Sequence, residues 1–323
     1  MKILVVKLSS LGDHMHALPA VHCLKAGLGA SVHWVTQPEY VGLVHTFSDV
    51  DKVMAFPRKR FCLNAFRFIK DLRGERYDMV VDFQGLFKSA LVCGMARSSR
   101  RIGPSFYREG ASLFYREVAG SPDRDRHAVE QNMDIVRHLG LQTSEMKFPL
   151  DLTPTDLPGK PPLITLCPSS RWPSKNWPQQ NFIELGKRLL EDVGGTVFLL
   201  GGKDEAKQCE EIAGSIGNAT SLAGKTPLDE LPSVLSAMDL LISNDSGPMH
   251  VAAAAGTPVL SVFGPTDPGR TGPYGELHRV IRTALPCQPC FDRDCKLSKE
   301  CMSGITVDMM AEAAVEMLGG NVG

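Results

Sequence analysis

The chain has 323 residues, of which 43% are hydrophobic and 22% are charged. This composition is typical of a folded globular protein and argues against a disordered one, and the length is enough for two ordinary domains. No apolar run approaches the ~20 residues that cross a bilayer. The N-terminal strand carries a second lysine, Lys7, and no signal-peptide cleavage site follows it, so we expect a cytoplasmic protein.

The charge is unevenly distributed along the chain, although its net value is only -1. Residues 1–150 contain 21 Lys and Arg against 15 Asp and Glu, whereas the remainder contains 14 against 21. A basic first half indicates an anionic partner, but a solvated surface explains the same excess. Nucleic acid is not expected as that partner, because the chain has no zinc-finger or RNA-binding signature.

Short apolar strands alternate with longer helical patterns, which is typical of parallel βαβ units. In the first half, strands are predicted at 2–8, 31–37 and 77–85, and helices at 19–28 and 125–141. Residues 151–162 then contain four prolines and no apolar periodicity, so we interpret them as an interdomain linker.

A second series of alternating elements follows the linker. Strands are predicted at 163–170, 196–202, 239–245 and 258–264, and helices at 178–192, 227–238, 248–256 and 307–318. The sequence therefore predicts an α/β fold with two Rossmann-like domains, residues 1–150 and 163–305. Ligands of open α/β sheets bind beyond the carboxyl ends of the strands, so the loops 9–16 and 244–250 are candidate parts of a site.

The stretch SNDSGPMHVAAAAGTPVLSVFGPTDP, residues 243–268, suggests an anion site. A polar residue at 244–246 can cap a helix whose first turn contains Pro248. Gly247 lets the backbone approach a ligand closely, and His250 adds a donor one turn later. Free N–H groups and the helix dipole at such an N-terminus favour a phosphate. An ordinary capped helix explains the same residues.

The stretch CPSSRWPSKNWPQQNF, residues 167–182, is the second phosphate candidate. Ser169 and Ser170 leave a strand, and Arg171 and Lys175 follow in a loop stiffened by prolines, so hydroxyls and a cation are available to a diphosphate. A surface loop is the alternative interpretation. Neither a Walker A loop nor a complete dinucleotide fingerprint occurs, so an ordinary NTPase or NAD enzyme is not expected.

Several stretches taken together resemble the ADP-heptose:lipopolysaccharide heptosyltransferases, glycosyltransferase family 9. They are SSLGDHMHALPA, DFQGLFKSAL, ASLFYREVAG with HAVEQ, SSRWPSKNWP and NDSGPMHVAAAAGTPVLSVFGPTDP. The likeness is greatest to heptosyltransferase I, which adds the first heptose to the Kdo of the inner core. The resemblance implies a GT-B fold whose two parallel sheets face a central cleft, inversion at the anomeric carbon, and no metal or other cofactor. It also implies a monomer in which a C-terminal helix within 306–323 crosses back to the first domain.

The resemblance assigns roles to individual residues. Asp13, after the first strand, is the general base that takes a proton from the acceptor hydroxyl, which a carboxylate within hydrogen-bond reach can do. Lys175 and the helix N-terminus at 246–250 neutralise the leaving diphosphate of the ADP-heptose donor. The expected donor-binding residues are Ser169, Ser170, Arg171, Asp204, Glu205, Asp245, Ser246, Gly247 and His250.

The acceptor implied by the resemblance is a Kdo-substituted lipid A at the inner face of the inner membrane. Its carboxylates and phosphates suit a basic surface. A basic patch is also sufficient for peripheral binding to an anionic leaflet. The expected acceptor-side residues are Lys7, Ser10, Gly12, Arg58, Lys59, Arg60, Arg97, Arg100 and Arg101.

Two groups of residues have the composition of metal sites. His14 and His16 stand two residues apart in a predicted turn, where their rings converge poorly, so no metal is expected there. The second group has the spacing C-x2-C-x4-C-x5-C, which suits zinc or iron, whereas disulfides or, more simply, a reduced, packed loop explain the same residues. Its members are Cys287, Cys290, Cys295 and Cys301.

Other activities of the same fold remain open. Heptosyltransferase II and a protein heptosyltransferase share these motifs, although DFQGLFKSAL favours heptosyltransferase I. A sugar-nucleotide epimerase or hydrolase tends to carry a second glycine and a glutamate after Asp-Ser-Gly, where this chain has Pro248, Met249 and His250. A sugar-nucleotide-binding protein without catalysis is disfavoured by Asp13 and Lys175.

Overall fold

The computed structural model describes residues 1–57, 61–123, 125–143 and 146–319, with no side-chain description for 61–63. The chain divides into two compact units, Met1–Asp151 and Leu152–Gly323. Among the helices in the described ranges, none is both long and apolar enough to span a bilayer.

The first unit is built on a parallel sheet. Its strands are β1 (Lys2–Val6), β2 (Ser31–Thr36), β3 (Lys52–Ala55), β4 (Met79–Asp82), β5 (Arg101–Pro104) and β6 (Glu117–Ala119). They are ordered β3-β2-β1-β4-β5-β6. A parallel sheet is covered on both faces, so its central strands carry apolar side chains on both. Accordingly β1 reads KILVV and is buried from Ile3 onward.

Helices cover this first sheet. They are α1 (Leu11–Leu28), α2 (Val41–His45), α3 (Phe61–Gly74), α4 (Phe87–Met95) and α5 (Ala128–His138), with 3₁₀ turns at Pro38–Tyr40 and Ala111–Phe114. α5 ends just before Gly140, which has a φ of +68°. A positive φ is easily reached by glycine, and Gly140 follows the end of the helix. α5 is shorter at both ends than the predicted helix 125–141.

The first helix is longer than predicted. The predicted loop at 9–16 and the predicted helix start at 19 are wrong, because α1 begins at Leu11 and contains Pro19. Residues 14–21 are buried without interruption, so no 3.6-residue alternation of apolar and polar side chains marks the helix. An internal proline also argues against a helix. Asp13 therefore lies in the first turn of a helix and not in a loop.

The second unit repeats the same architecture. Its strands are β7 (Leu163–Cys167), β8 (Thr196–Leu199), β9 (Ala219–Ser221), β10 (Leu240–Asn244), β11 (Val259–Phe263) and β12 (Arg279–Arg282), ordered β12-β11-β10-β7-β8-β9. Its helices are α6 (Gln179–Asp192), α7 (Ala206–Ile216), α8 (Leu231–Ser236), α9 (Gly247–Ala254), α10 (Pro268–Thr271), α11 (Glu300–Ser303) and α12 (Val307–Met317). Further 3₁₀ turns lie at Pro173–Lys175 and Lys203–Glu205.

Both sheets have the strand order of a doubly wound fold, which confirms the predicted α/β class. The order reverses between β1 and β4 in the first sheet and between β7 and β10 in the second. The crevice beyond the carboxyl ends of two such strands, the topological switch point, is where ligands of these sheets bind. Each unit therefore has its own expected ligand-binding edge.

The last described helix belongs to the second unit. α12 packs against α6, β11 and β12, and the indole N–H of Trp177 donates to the carbonyl oxygen of Ile305 at 2.9 Å just before it. Trp177 is 2% exposed, so this bond closes the core beneath the helix. The crossing of the C-terminal segment to the first unit stays a prediction.

Candidate active site

Asp13 lies at the switch point of the first sheet, in the first turn of α1. Its Oδ2 atom accepts hydrogen bonds from the backbone N–H and from the hydroxyl of Ser10, both at 2.8 Å. Ser10 caps the helix, and Gly12 is buried in the same turn. The Asp13 side chain is nevertheless 44% exposed. The carboxylate is therefore held in one orientation and remains accessible to a substrate hydroxyl.

The surroundings of Asp13 keep its carboxylate ionised. Burial works against the charged form, but Lys7, His16 and the hydrogen bonds from Ser10 outweigh it and hold the pKa of Asp13 well below its ordinary value. Lys7 is 5% exposed, and its ammonium donates to the carbonyl oxygen of Phe83 at 2.7 Å. Burial lowers the pKa of Lys7, and neighbouring carboxylates oppose that shift. Asp13 thus has the deprotonated form that a general base needs.

A residue outside the predicted set holds the turn between β1 and α1. Gln84 follows β4, and its side-chain oxygen accepts from the backbone N–H groups of Leu8 at 3.2 Å and Ser9 at 3.1 Å. The buried carboxylate of Asp82 in turn accepts from the N–H of Gln84 at 2.7 Å and from the Tyr115 hydroxyl at 2.6 Å. The available signal was the place of Gln84 directly after a buried strand, in DFQGLFKSAL.

The two histidines of the first helical turns belong to the packed interior. His14 has its Nδ1 atom 2.6 Å from the carbonyl oxygen of Ser10 and its Nε2 atom 2.8 Å from the hydroxyl of Thr36. A carbonyl only accepts, so we assign the proton to Nδ1 and an accepting role to Nε2. Burial lowers the pKa of His14 to about 4. His16 packs edge-on against the ring of His127.

Lys175 and Asp245 form an ion pair at the switch point of the second sheet. The Nζ atom of Lys175 lies 2.6 Å from Oδ2 of Asp245, and the side chains are 14% and 6% exposed. Lys175 follows β7 and Asp245 follows β10, so the pair joins the two strands that flank the switch point. The hydroxyl of Thr266, beyond β11, donates to the same carboxylate oxygen at 2.6 Å. Thr266 was missed because its partner is distant in sequence.

Polar contacts tie the loop after β7 to the end of β10. Ser170 donates its hydroxyl to the carbonyl oxygen of Asp245 at 2.9 Å. The Asn244 amide donates to the carbonyl oxygen of Pro168 at 2.7 Å and accepts from the backbone N–H of Trp177 at 3.0 Å. The loop that carries Lys175 is therefore fixed at both of its ends.

The N-terminus of α9 follows Asp245 directly. Ser246 is the N-cap, and Pro248 lies in the first turn, as the sequence predicted. Within the described residues, the Ser246 side chain makes no capping hydrogen bond to the helix. The first N–H groups of a helix have no intrahelical partner, so those from Gly247 onward suit an anion. His250 follows one turn later and is 9% exposed.

The remaining predicted donor residues differ in their placement. Ser169 donates its hydroxyl to a glutamine side chain of α7 at 3.0 Å. Glu205 accepts from the N–H of Gly202 at 2.6 Å, in the turn beyond β8, whereas Asp204 and Arg171 are exposed. Of the two acidic candidates, Glu205 is the one held at the carboxyl edge of the sheet.

Comparison with known proteins identifies the family. The model of glycosyltransferase family 9 (heptosyltransferase) matches residues 65–300. The chain belongs to glycosyltransferase family 9. The lipopolysaccharide heptosyltransferase 1 of Pseudomonas aeruginosa is 31% identical over 319 residues, which cover 91% of this chain and 87% of that relative. The lipopolysaccharide heptosyltransferase 2 of Escherichia coli K12 is 28% identical over 316 residues, 87% of this chain and 88% of that one.

A solved heptosyltransferase has the same fold as this family 9 chain. The E. coli heptosyltransferase WaaC, determined with ADP, matches it with a TM-score of 0.81 at 26% identity, over 98% of this chain and 100% of that chain. The predicted GT-B fold class and the predicted family are thereby confirmed.

Three of the arginines predicted to bind the acceptor lie at the edge of the first sheet opposite to Asp13. Arg97 and Arg100 precede β5, and Arg101 is its first residue. They lie at the amino edge of the sheet, whereas Asp13 lies at the carboxyl edge where ligands bind. Arg100 is also paired with Glu117 through two N–H bonds, at 2.8 and 2.9 Å. Charge alone favoured these arginines, but the direction of the strand argues against them.

Other cations of the first unit lie at the carboxyl edge. The predicted acceptor residues Arg58, Lys59 and Arg60 are outside the described residues. Lys88 is exposed in the first turn of α4, after β4. Arg108 is exposed beyond β5, and its backbone N–H donates to the carbonyl oxygen of Gly85 at 2.7 Å. Neither cation is among the predicted acceptor residues, although each lies near a strand end.

The four-cysteine group is unevenly exposed. Cys287 and Cys290 are exposed, Cys295 is half-buried and Cys301 is buried, and all four are free thiols. Burial raises the pKa of Cys301, and the other three cysteines raise it further. In the part of the chain that the structure describes, no group of three or more His, Cys, Asp or Glu side chains is arranged to hold a metal ion.

Proposed function

We propose that this protein is a heptosyltransferase I, which transfers L-glycero-D-manno-heptose from ADP-heptose to the Kdo of the lipopolysaccharide inner core. The main support for the proposal is the set of residues that lies at each of the two switch points. The first holds the ionised, accessible Asp13, and the second holds the Lys175–Asp245 pair beside a helix N-terminus. The transfer of a sugar from a nucleotide sugar requires a base for the acceptor hydroxyl and a cluster that binds the anionic leaving group. Relatives named as lipopolysaccharide heptosyltransferases, one solved with ADP, support the assignment.

Asp13 acts on the acceptor in this proposal. Its carboxylate accepts the proton of a Kdo hydroxyl while the hydroxyl oxygen attacks the anomeric carbon of the heptose. The bond between that carbon and the β-phosphate oxygen breaks, and its electron pair leaves with ADP. Attack and departure take place on opposite faces, so the configuration inverts. Ser10 keeps the carboxylate from rotating away through its two hydrogen bonds.

Lys175 and the N-terminus of α9 receive the diphosphate. Negative charge grows on the leaving ADP, and the ammonium and the first N–H groups of α9 are oriented for it before the reaction begins. The hydroxyls of Ser169 and Ser170 and the carboxylate of Glu205 are the candidate contacts of the nucleotide and sugar hydroxyls. Because side chains and backbone supply this positive charge, we propose that turnover needs no metal ion.

The acceptor and the membrane are assigned to the first unit. Lys88 and Arg108, at its carboxyl edge, are the candidate partners of the acceptor carboxylates and phosphates. On α3, Phe66 is 77% exposed and stands beside the exposed Arg67 and Lys70. An aromatic ring among cations suits peripheral contact with an anionic inner leaflet. We further propose a cytoplasmic monomer.

Product mass tests the proposal. The purified protein is incubated with ADP-heptose and Kdo-lipid A in EDTA, beside Asp13→Asn and the control Asp229→Asn, which alters an exposed carboxylate of the second unit. We expect the wild type and the control to add one heptose to each acceptor. The Asp13→Asn rate should fall by about 10²–10⁴-fold, the usual contribution of a general base.

Further substrates distinguish the related activities. Transfer only to an acceptor that already carries one heptose would replace the assignment with heptosyltransferase II, and transfer to a protein would replace it with a protein heptosyltransferase. Release of ADP without an acceptor would identify a hydrolase. Undiminished activity of Asp13→Asn would contradict the role of the base. Loss of turnover in EDTA would contradict metal independence.

A further inference from the structure

The cysteine segment, residues 287–301, lies outside the catalytic and donor-binding residues described above. It follows β12 and has no regular secondary structure until α11 begins at Glu300. Its backbone and side chains nevertheless contact the loop after β7, which carries Lys175, and the loop after β11, which carries Thr266. The segment is therefore in a position to affect the conformation of those loops.

The first contact is with the backbone just before the donor-site lysine. The Ser174 hydroxyl donates to the carbonyl oxygen of Asp292 at 2.7 Å, and its N–H donates to that of Arg293 at 3.3 Å. The ammonium of Lys299 donates to the carbonyl oxygen of Pro173 at 3.1 Å. Ser174 is 1% exposed, so its hydroxyl would be buried without this partner, which is costly. Three hydrogen bonds thus fix the position of the loop.

The second contact reaches the lysine side chain through an aromatic ring. The Nζ atom of Lys175 lies 4.5 Å from the centroid of the Trp172 ring, and the guanidinium carbon of Arg293 lies 5.2 Å from it. Cations are attracted to the electron-rich face of an indole. Arg293 therefore helps to hold the ring that Lys175 rests on.

The third contact is with the loop after β11. The side-chain amide of Gln288 donates to the carbonyl oxygen of Gly264, and the N–H of Phe291 donates to that of Pro265, both at 2.8 Å. The next residue, Thr266, donates its hydroxyl to the carboxylate of the ion pair. The cysteine segment thus contacts the support of both partners of that pair.

We infer that the cysteine segment is a positioning element of the donor site: Arg293, through the Trp172 ring, and the Asp292 carbonyl, through Ser174, set the place of the Lys175 ammonium for a nucleotide diphosphate. A lysine side chain loses rotamer freedom when it binds an anion, and a ring and loop that are already fixed remove part of that freedom beforehand. The identity of the ligand rests on the proposed function, whereas the contacts themselves do not.

Two measurements on the full chain test the inference. Hydrogen exchange of the ADP-free protein reports directly on the backbone of residues 172–176. Calorimetric titration with ADP reports on the consequence for the ligand. The variants are Ser174→Ala, Arg293→Ala, the conservative Arg293→Lys, and the control Lys296→Ala, which removes an exposed cation of the same segment.

We expect faster exchange in residues 172–176 for Ser174→Ala and Arg293→Ala, with ADP binding weakened about 3- to 10-fold. Arg293→Lys retains a cation for the indole, and Lys296→Ala loses only a screened charge, so both should bind ADP within about twofold of the wild type. In a Lys175→Ala background, Arg293→Ala should cause no further loss, because its effect acts through that lysine.

The outcomes separate the inference from the proposed function. Unchanged exchange in both Ser174→Ala and Arg293→Ala would overturn the inference, whatever their ADP affinity. If Arg293→Ala weakened ADP binding in the Lys175→Ala background as much as it does in the wild type, the inference would also be overturned, since Arg293 would then contact the ligand itself. A wild type that does not bind ADP would contradict the proposed function, and the exchange rates would still decide whether the segment holds the loop.

Discussion

Asp13, the proposed base of the first unit, and Lys175, the proposed cation of the second, are held in different ways. Asp13 is bound by Ser10, three residues before it, through two hydrogen bonds. Lys175 is bound by Asp245, 70 residues away. Its loop is attached to Asp292, which is 118 residues from its hydrogen-bonding partner. One group is therefore oriented mainly by its own helical turn, and the other by contacts from across its unit.

This difference has consequences for how substitutions act. The orientation of Asp13 is established when the first turn of α1 forms, so few distant changes should disturb it. The position of Lys175 depends on the ends of β10 and β11 and on the cysteine segment. Donor binding should therefore respond to many distant substitutions that leave the chemical step unchanged.

The largest expected effects separate the two groups. Asp13→Asn should lower the single-turnover rate by about 10²–10⁴-fold while ADP binds as in the wild type. Lys175→Ala should weaken ADP binding by about 10- to 100-fold, because it removes a charge-assisted contact and leaves Asp245 without its partner. Calorimetry with ADP and single-turnover transfer measure the two quantities.

A double variant serves as the control for this separation. Adding Asp245→Asn to Lys175→Ala removes the uncompensated carboxylate, so ADP binding should partly recover. If Asp13→Asn weakened ADP binding as much as Lys175→Ala does, the two groups would not have separate roles.

The next effect concerns the turn that carries Asp13. His14 is buried and its pKa is lowered to about 4, so between that value and the ordinary 6.5 the unfolded chain binds more protons than the folded one. Folding stability should therefore fall as the pH falls through this range. The expected loss from His14 is about 3 kcal/mol between pH 7 and pH 4. Urea unfolding at both pH values, for the wild type and His14→Gln, measures it.

The His14→Gln variant should be less sensitive to acid than the wild type, because a glutamine does not titrate. The comparison is between slopes of stability against pH, so a general destabilisation by the substitution does not affect it. Equal slopes in the two proteins would mean that His14 is protonated as easily in the folded state as in the unfolded one.

Local patterns predicted the α/β class and the start of the helix after β10. Alternating apolar segments marked the strands, and the Ser-Gly-Pro sequence marked the start of α9, because both signals lie within a few residues. The start of α1 was missed, since residues 14–21 are all buried and show no helical alternation. Thr266 and Ser174 were missed because their partners lie far along the chain. The position of Arg100 and its neighbours at the amino edge of the sheet was not foreseen, because charge carries no information on strand direction.

A smaller effect tests whether the orientation of Asp13 depends mainly on residues near it in sequence. The hydrogen-bonding contacts that hold Asp13 and its turn are called its frame. Gln84 holds the N–H groups of Leu8 and Ser9 from 76 and 75 residues away, so it is the long-range part of that frame. Gln84→Leu leaves two backbone donors without a protein partner and should lower both the free energy of unfolding, by about 1–3 kcal/mol, and the transfer rate. The matched change in the second unit, Thr266→Val, should lower ADP affinity and not the single-turnover rate.

The comparison of Gln84→Leu with Ser10→Ala shows whether Asp13 is oriented mainly by its own helical turn or by contacts from distant residues. If Ser10→Ala has the larger effect on the transfer rate, the frame is mainly local. If Gln84→Leu has the larger effect, the base depends on distant contacts in the same manner as the cation, and the contrast between the units fails.

The smallest effect is expected from thiol labelling. Cys287 and Cys290 are exposed, whereas burial raises the pKa of Cys167 to about 12 and of Cys209 to about 11. Only a thiolate reacts readily. Iodoacetamide at pH 8 should therefore modify the first two within the native protein and the last two only after unfolding, as read by peptide mass.

Labelling of the two exposed thiols also bears on the contrast between the units. The label is attached to the cysteine segment, so any change should appear in ADP affinity, and it should be small because these side chains face solvent. In the proposed mechanism the chemical step depends on Asp13, so the single-turnover rate should not change. A labelled protein that binds ADP normally but transfers heptose slowly would show that the cysteine segment affects the base. That result would contradict the view that Asp13 and Lys175 are held by separate sets of contacts.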